Sequence, residues 1–193
     1  LDTILVEPES GEELFLFRFE NPVEGIWTIR VSLVGDAMEG SFHMWLPITA
    51  FLRSETYFLR PNPYITLTAP ALAANVITTS TYDDKNDSFY QNSGRGFRRD
   101  GVIKPELAAP GVDIPTVLGA RTGASLAAAM TAGGVAQFLQ WAVVEGNDPY
   151  VDTEAVKNYL IRGATRDRRQ SYPSREWGYG RLNVYRAFQV LQN

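Results

Sequence analysis

The 193-residue chain contains no cysteine and only one histidine, His43. The lack of cysteine excludes disulfides, thiolate nucleophiles and cysteine-based zinc sites, but it does not fix the compartment, because many secreted proteins have no disulfides. An excess of basic residues is missing as well. Lys and Arg total 18 against 22 Asp and Glu, for a net charge of −4 and a pI of about 5.1, so no electrostatic footprint for nucleic acid is present. No basic segment followed by an apolar one stands at the start. A signal peptide is therefore not expected within this sequence, and a beginning on Leu1 suggests a start inside a longer protein. Asp83, Asp84 and Asp87 crowd one stretch, but not at the spacing of a calcium loop with its closing glutamate. A solvated turn is the simpler expectation there, and neither metal nor cofactor is expected.

Hydrophobic residues make up 45% and aromatics 12%, enough for a genuine core in one globular unit or one and a half, and too many for a disordered chain. One uncharged stretch, 122–144, is long enough to span a bilayer. It is rich in Ala and Gly, contains Gln137 and Gln140 and has no basic flank, so a buried helix is expected rather than a membrane span.

The first third reads as antiparallel β. Segments 13–19, 26–33 and 40–46 alternate apolar and polar residues, with turn signals at Asn21-Pro22, Gly25 and Gly35-Asp36. Short strands at this spacing suggest part of a sandwich or jelly roll, an accessory β unit over 1–65. Beyond it the texture changes. Val76-Ile77-Thr78-Thr79 fits a buried parallel strand, and helices are expected over 125–143, 153–162 and 183–191. Asp152 is placed to cap the second helix, with Val156, Tyr159 and Leu160 facing inward, and Tyr185, Phe188 and Leu191 stand at helical spacing in the third. Strands alternating with helices predict an α/β layer structure over 66–193.

Thr122-Gly123-Ala124-Ser125 opens the first of these helices. A helix N-terminus leaves backbone N–H groups unpaired and favours negative charge, so an oxyanion forming beside Ser125 could accept a hydrogen bond from its N–H. Local sequence alone fits a plainer role better, since serine is a preferred N-cap.

Three further segments bear on the choice. They are Lys104-Pro105-Glu106-Leu107-Ala108-Ala109-Pro110-Gly111-Val112, Ser93-Gly94-Arg95-Gly96, and Trp177-Gly178-Tyr179-Gly180-Arg181-Leu182-Asn183. With 122–133 they resemble, in order, four motifs of the subtilisin-like serine proteases, the subtilases. The likeness covers 65–193 and implies the C-terminal part of that parallel-sheet fold. The preceding segment is similar to the jelly-roll insertion of the clostridial germination proteases of the Csp group.

The resemblance implies that Ser125 is the nucleophile and its backbone N–H an oxyanion donor, with Thr122, Gly123 and Ala124 lining the substrate path. It implies protein or peptide substrates and an extracellular or spore-associated setting. It also exposes gaps. Subtilases use Asp, His and Ser in that order, with an oxyanion Asn between His and Ser. The settings of the first two are nowhere in this chain, His43 lies in an expected β strand, and Asn75 and Asn92 match the oxyanion Asn by residue type only. Asp, His and Asn are therefore expected before Leu1, in a missing N-terminal part of the catalytic domain. The chain alone is expected to be inactive and prone to self-association. Ala124 stands where the family usually has threonine, which keeps open a pseudoprotease that binds or regulates. A β-sandwich binding module over 1–65 on a scaffold is the third alternative.

Overall fold

The β-branched and aromatic run Thr79-Ser80-Thr81-Tyr82 forms the middle strand of a small sheet in the computed structural model, which describes residues 3–6, 13–32, 35, 40–52 and 55–191. The chain divides into two units, Leu1–Thr56 and Tyr57–Asn193.

In the second unit β3 (Thr79–Asp83) pairs in parallel with β5 (Leu107–Pro110), from Thr79 opposite Leu107 to Tyr82 opposite Pro110. Its other edge meets the two-residue β4 (Ser88–Phe89) antiparallel. The strand expected at 76–79 starts only at Thr79. Ahead of it, the Thr78 N–H donates to Glu106 Oε2 at 2.8 Å and the Thr78 carbonyl accepts the Glu106 N–H at 2.9 Å, so a side chain stands in for the ladder. Leu107, Ala108 and Ala109 are fully buried, as in a parallel strand covered on both faces. Beyond β5, Leu182 N–H donates to Ala108 O and Ala108 N–H to Gly180 O, which adds an isolated bridge at Arg181 to the sheet edge.

Three helices pack on this sheet and on one another. Helix α1 (Ala124–Leu139) continues into a π turn at Gln140–Val144 and lies against β3, β5 and α3. It buries one stripe, Ala127, Thr131, Gly134, Phe138 and Ala142, at the spacing expected of one helix face. The buried helix expected over 125–143 is thus buried along that stripe alone, because the described elements cover a single side. Its other face exposes Met130, Leu139, Val143 and Val144. Ala124–Val144 is long and apolar enough to cross a membrane by length and composition.

Helix α2 (Thr153–Gly163) is capped by Asp152, whose carboxylate accepts the Ala155 N–H at 2.8 Å. Helix α3 (Val184–Val190) is capped by Asn183 through the Arg186 N–H at 2.9 Å. Val156 and Leu160 face inward as expected, with Tyr159 half-buried. Tyr185 instead points to solvent, and Ala187 is the buried residue of α3. The core centres on Phe138, whose ring meets those of Trp141, Tyr159 and Phe188 at 5.3–5.8 Å, between Leu107 and Leu160.

In the first unit β1 (Thr3–Val6) pairs antiparallel with β2 (Glu13–Leu16), and a 3-10 turn occupies Thr49–Phe51. The other two strands expected here are not formed among the described residues: 26–32 and 40–46 run irregularly, and Leu33 lies outside them. The jelly-roll-like segment is therefore not what these residues show. Alternation is present, yet Ile26, Trp27, Ile29 and Val31 are all exposed, and a period of two makes a strand only where a neighbour supplies hydrogen bonds and a face to bury.

Candidate active site

The end of β5 determines where α1 begins. Gly111 extends the ladder by one residue, its N–H donating to Tyr82 O at 3.1 Å, while its carbonyl accepts the Gly123 N–H at 2.8 Å. A side chain would not fit: a Cβ on Gly111 would lie 2.6 Å from Thr81 Cγ2 and 2.9 Å from Gly123 O. The closely apposed backbones therefore require glycine.

Between these two glycines the chain makes a hairpin. Ile114 and Arg121 exchange backbone hydrogen bonds of 2.8 and 2.9 Å, and Thr116 and Gly119 exchange another pair around the tip. At its base the Asp113 N–H donates to Thr122 Oγ1 at 2.8 Å, with Asp113 in the left-handed region at φ 52°. The Asp113 carboxylate pairs with Lys85, from the turn after β3. That hydrogen bond and charge hold the Lys85 ammonium above the ordinary lysine range.

The hairpin leads into the turn that holds Ser125. Gly123 is the N-cap of α1, in extended conformation and without a side-chain cap, and the Leu126 N–H reaches back to its carbonyl at 3.0 Å. Ser125 is thus the second residue of the helix and not its cap. It is exposed, and no described residue hydrogen-bonds to its hydroxyl. Ala124 is exposed beside it, Gly123 is half-buried and Thr122 is engaged with Asp113. The Ala124 and Ser125 N–H groups have no backbone acceptor among the described residues and lie at the positive end of a 16-residue helix. Chemically, the turn offers a free hydroxyl next to ready donors for an oxyanion.

The other residues considered are engaged elsewhere. His43 is exposed in the first unit and stacks on Trp45 with 5.7 Å between ring centroids. Asn75 is exposed, and Asn92 donates to the Tyr90 hydroxyl. Asp83 accepts the Lys85 N–H, and Asp87 pairs with Arg181. No group of three potential metal ligands occurs among the described residues.

The remaining motifs meet at the sheet. Ser93 Oγ accepts the Thr81 N–H at 3.0 Å, and Arg95 pairs with Glu176 at 3.0 Å. Tyr179 N–H donates to Glu106 O, and Gly180, at φ 132°, leaves only 2.7 Å between a hypothetical Cβ and Thr165 O. Sequence reasoning missed a buried charge cluster. Glu106 lies 2.7 Å from Lys104 Nζ and 3.6 Å from Lys157 Nζ, which itself pairs with Glu154 at the surface. The available signal was Lys104 and Glu106 sharing one face of an extended, otherwise apolar segment; nothing in the sequence pointed to Lys157. Buried charges need such partners, and losing one partner of a buried pair is costly.

Comparison with known proteins bears on the whole arrangement. Residues 60–180 match the profile of the Subtilase family, Peptidase_S8. Pyrolysin of Pyrococcus furiosus is 33% identical over 112 residues, covering 52% of this chain and 8% of pyrolysin. The structure of the Clostridium perfringens CspB protease superposes with a TM-score of 0.69 at 35% identity, covering 72% of this chain and 31% of that one. The prenylagaramide maturation protease PagA gives 0.56 at 25% identity, over 68% of this chain and 48% of its own. The chain thus spans about a third of the CspB protease and less than a tenth of pyrolysin.

Proposed function

Because the chain belongs to the subtilase family, we propose that it is the nucleophile-bearing portion of a subtilisin-like serine endopeptidase acting on proteins, with Ser125 as the attacking residue. The observation that carries this reading is the exposed Ser125, its hydroxyl without a partner among the described residues, in the first turn of α1, held there by the bond from Gly123 to Gly111. In the reaction, Ser125 Oγ adds to the scissile carbonyl, a histidine takes its proton and returns it to the leaving amine, and an aspartate orients that histidine. The Ser125 N–H donates to the carbonyl oxygen as it gains charge, and Thr122, Gly123 and Ala124 flank the bound peptide. The histidine, the aspartate and the oxyanion asparagine come from a further part of the catalytic domain, which is the partner this chain requires. A serine with no base has ordinary reactivity, so a polypeptide of this sequence alone hydrolyses nothing.

One observation favours a second reading, a pseudoprotease that binds without cleaving: Ala124 offers no hydroxyl beside the oxyanion. A fluorophosphonate probe separates the two. Applied to the full-length protein, it should label Ser125 and no other serine, and Ser125→Ala should abolish labelling. A folded full-length protein that takes no label supports the pseudoprotease; label that survives Ser125→Ala removes Ser125 from the mechanism.

A further inference from the structure

We propose that the hairpin 112–122 reads the substrate, and that Arg121 selects polypeptides carrying an aspartate or glutamate within a few residues of the scissile bond. The inference rests on Ser125 being the nucleophile.

Position is the first argument. The hairpin leaves the carboxyl end of β5 at Gly111 and returns at Gly123, the cap of α1. In open sheets with parallel strands, ligands bind outside the carboxyl ends of the strands. Arg121 precedes Ser125 by four chain steps, so their Cα atoms are at most about 14 Å apart. The Arg121 charge thus stands on the strand of the hairpin that runs directly into the turn holding Ser125.

Charge is the second. Arg121 is exposed, and its Nη1 donates to the Ala120 carbonyl at 3.1 Å. No carboxylate among the described residues pairs with it. Asp113, the acid within the same hairpin, is occupied by Lys85. A guanidinium retains donors for a planar carboxylate after bonding one carbonyl, and such charge-assisted, two-pronged contacts discriminate acid from amide.

Rigidity is the third. The two backbone bonds with Ile114 fix Arg121, and the Asp113 contacts with Thr122 and Lys85 brace the base of the hairpin. Little backbone ordering is then left for substrate binding to cost. The tip presents Val117 and Leu118 to solvent, so the charge stands beside apolar surface.

The test is cleavage of a positional peptide library by the full-length protein. At one position near the scissile bond, Glu and Asp should exceed Gln and Asn by about five- to tenfold in kcat/KM. Arg121→Lys should retain a preference for acid, Arg121→Gln should remove it, and Arg121→Glu should reverse it toward Lys and Arg. Reversal also shows that the variant folds. Equal rates for acid and amide in the parent, or a preference that survives Arg121→Gln, would overturn the inference while leaving the nucleophile in place. A parent that takes no fluorophosphonate label overturns both.

Discussion

Gly111 brings three segments together: the end of β5, the middle of β3 and the turn that opens α1. Adding one methyl group there forces Thr81 or the Gly123 carbonyl to move, and Thr81 is fully buried. Gly111→Ala should destabilise the protein by about 1–3 kcal/mol, the usual cost of overpacking. Chemical denaturation measures it, and Thr81→Ser, which deletes the clashing Cγ2, should recover part of the loss in the double variant. Simple additivity would show that the clash is relieved elsewhere. Tyr82 supplies a pH signature at the same sheet. Burial raises its hydroxyl above the ordinary tyrosine value; Arg181 opposes this, and Asp84 and Asp87 add to the rise. A raised folded pKa gives stability that is complete below the unfolded value of ~10 and lost as pH climbs through the folded one. Lys85 acts in the same direction. Denaturation midpoints should therefore fall above pH ~10, and Tyr82→Phe should lessen the fall without abolishing it. An equally steep fall in Tyr82→Phe would remove tyrosine from the account.

The helices were legible before the sheet was. Asp152 caps α2, Val156 and Leu160 face inward, and α1 begins within one residue of Ser125, because caps and a 3.6-residue period are local properties. Strands depend on partners far away in sequence. Segment 26–33 alternates well, yet its described residues gain neither a neighbour nor a covering layer, so the pattern produces no strand. At 76–79 the error was smaller: the ladder starts three residues late because Glu106 takes the Thr78 N–H. The site divides along the same line. The start of α1 beside Ser125 is legible in the sequence, whereas the contacts that hold that turn, Gly111 with Gly123 and Asp113 with Thr122 and Lys85, join residues 9 or more positions apart that no period connects.

At the scale of the whole chain, the covered and uncovered faces of α1 are in conflict. A soluble surface helix keeps its apolar residues on the buried stripe and polar ones outside. Here the outer face carries Leu139, Val143 and Val144, next to a groove of about 380 Å³ walled by Ile77, Thr79, Ala128, Ala132 and Val135. A contiguous exposed apolar surface of this kind invites association. In the reading proposed above, the rest of a catalytic domain covers it. A polypeptide of this sequence alone should then cover it with another copy and sediment as a dimer or larger species at micromolar concentration. Introducing charge on the outer face, with Leu139→Glu and Val143→Glu together, should shift it toward monomer. Both side chains are partly solvated already, so the folded midpoint should change little. The first unit also exposes apolar side chains, among them Leu14 and Leu16, which makes Leu14→Glu with Leu16→Glu the matching control. Dispersal by the control pair alone would move the sticky surface off α1. A parent that sediments as a well-behaved monomer would mean that the outer face of α1 needs no cover at all, and the case for a missing part of the domain would lose its physical support.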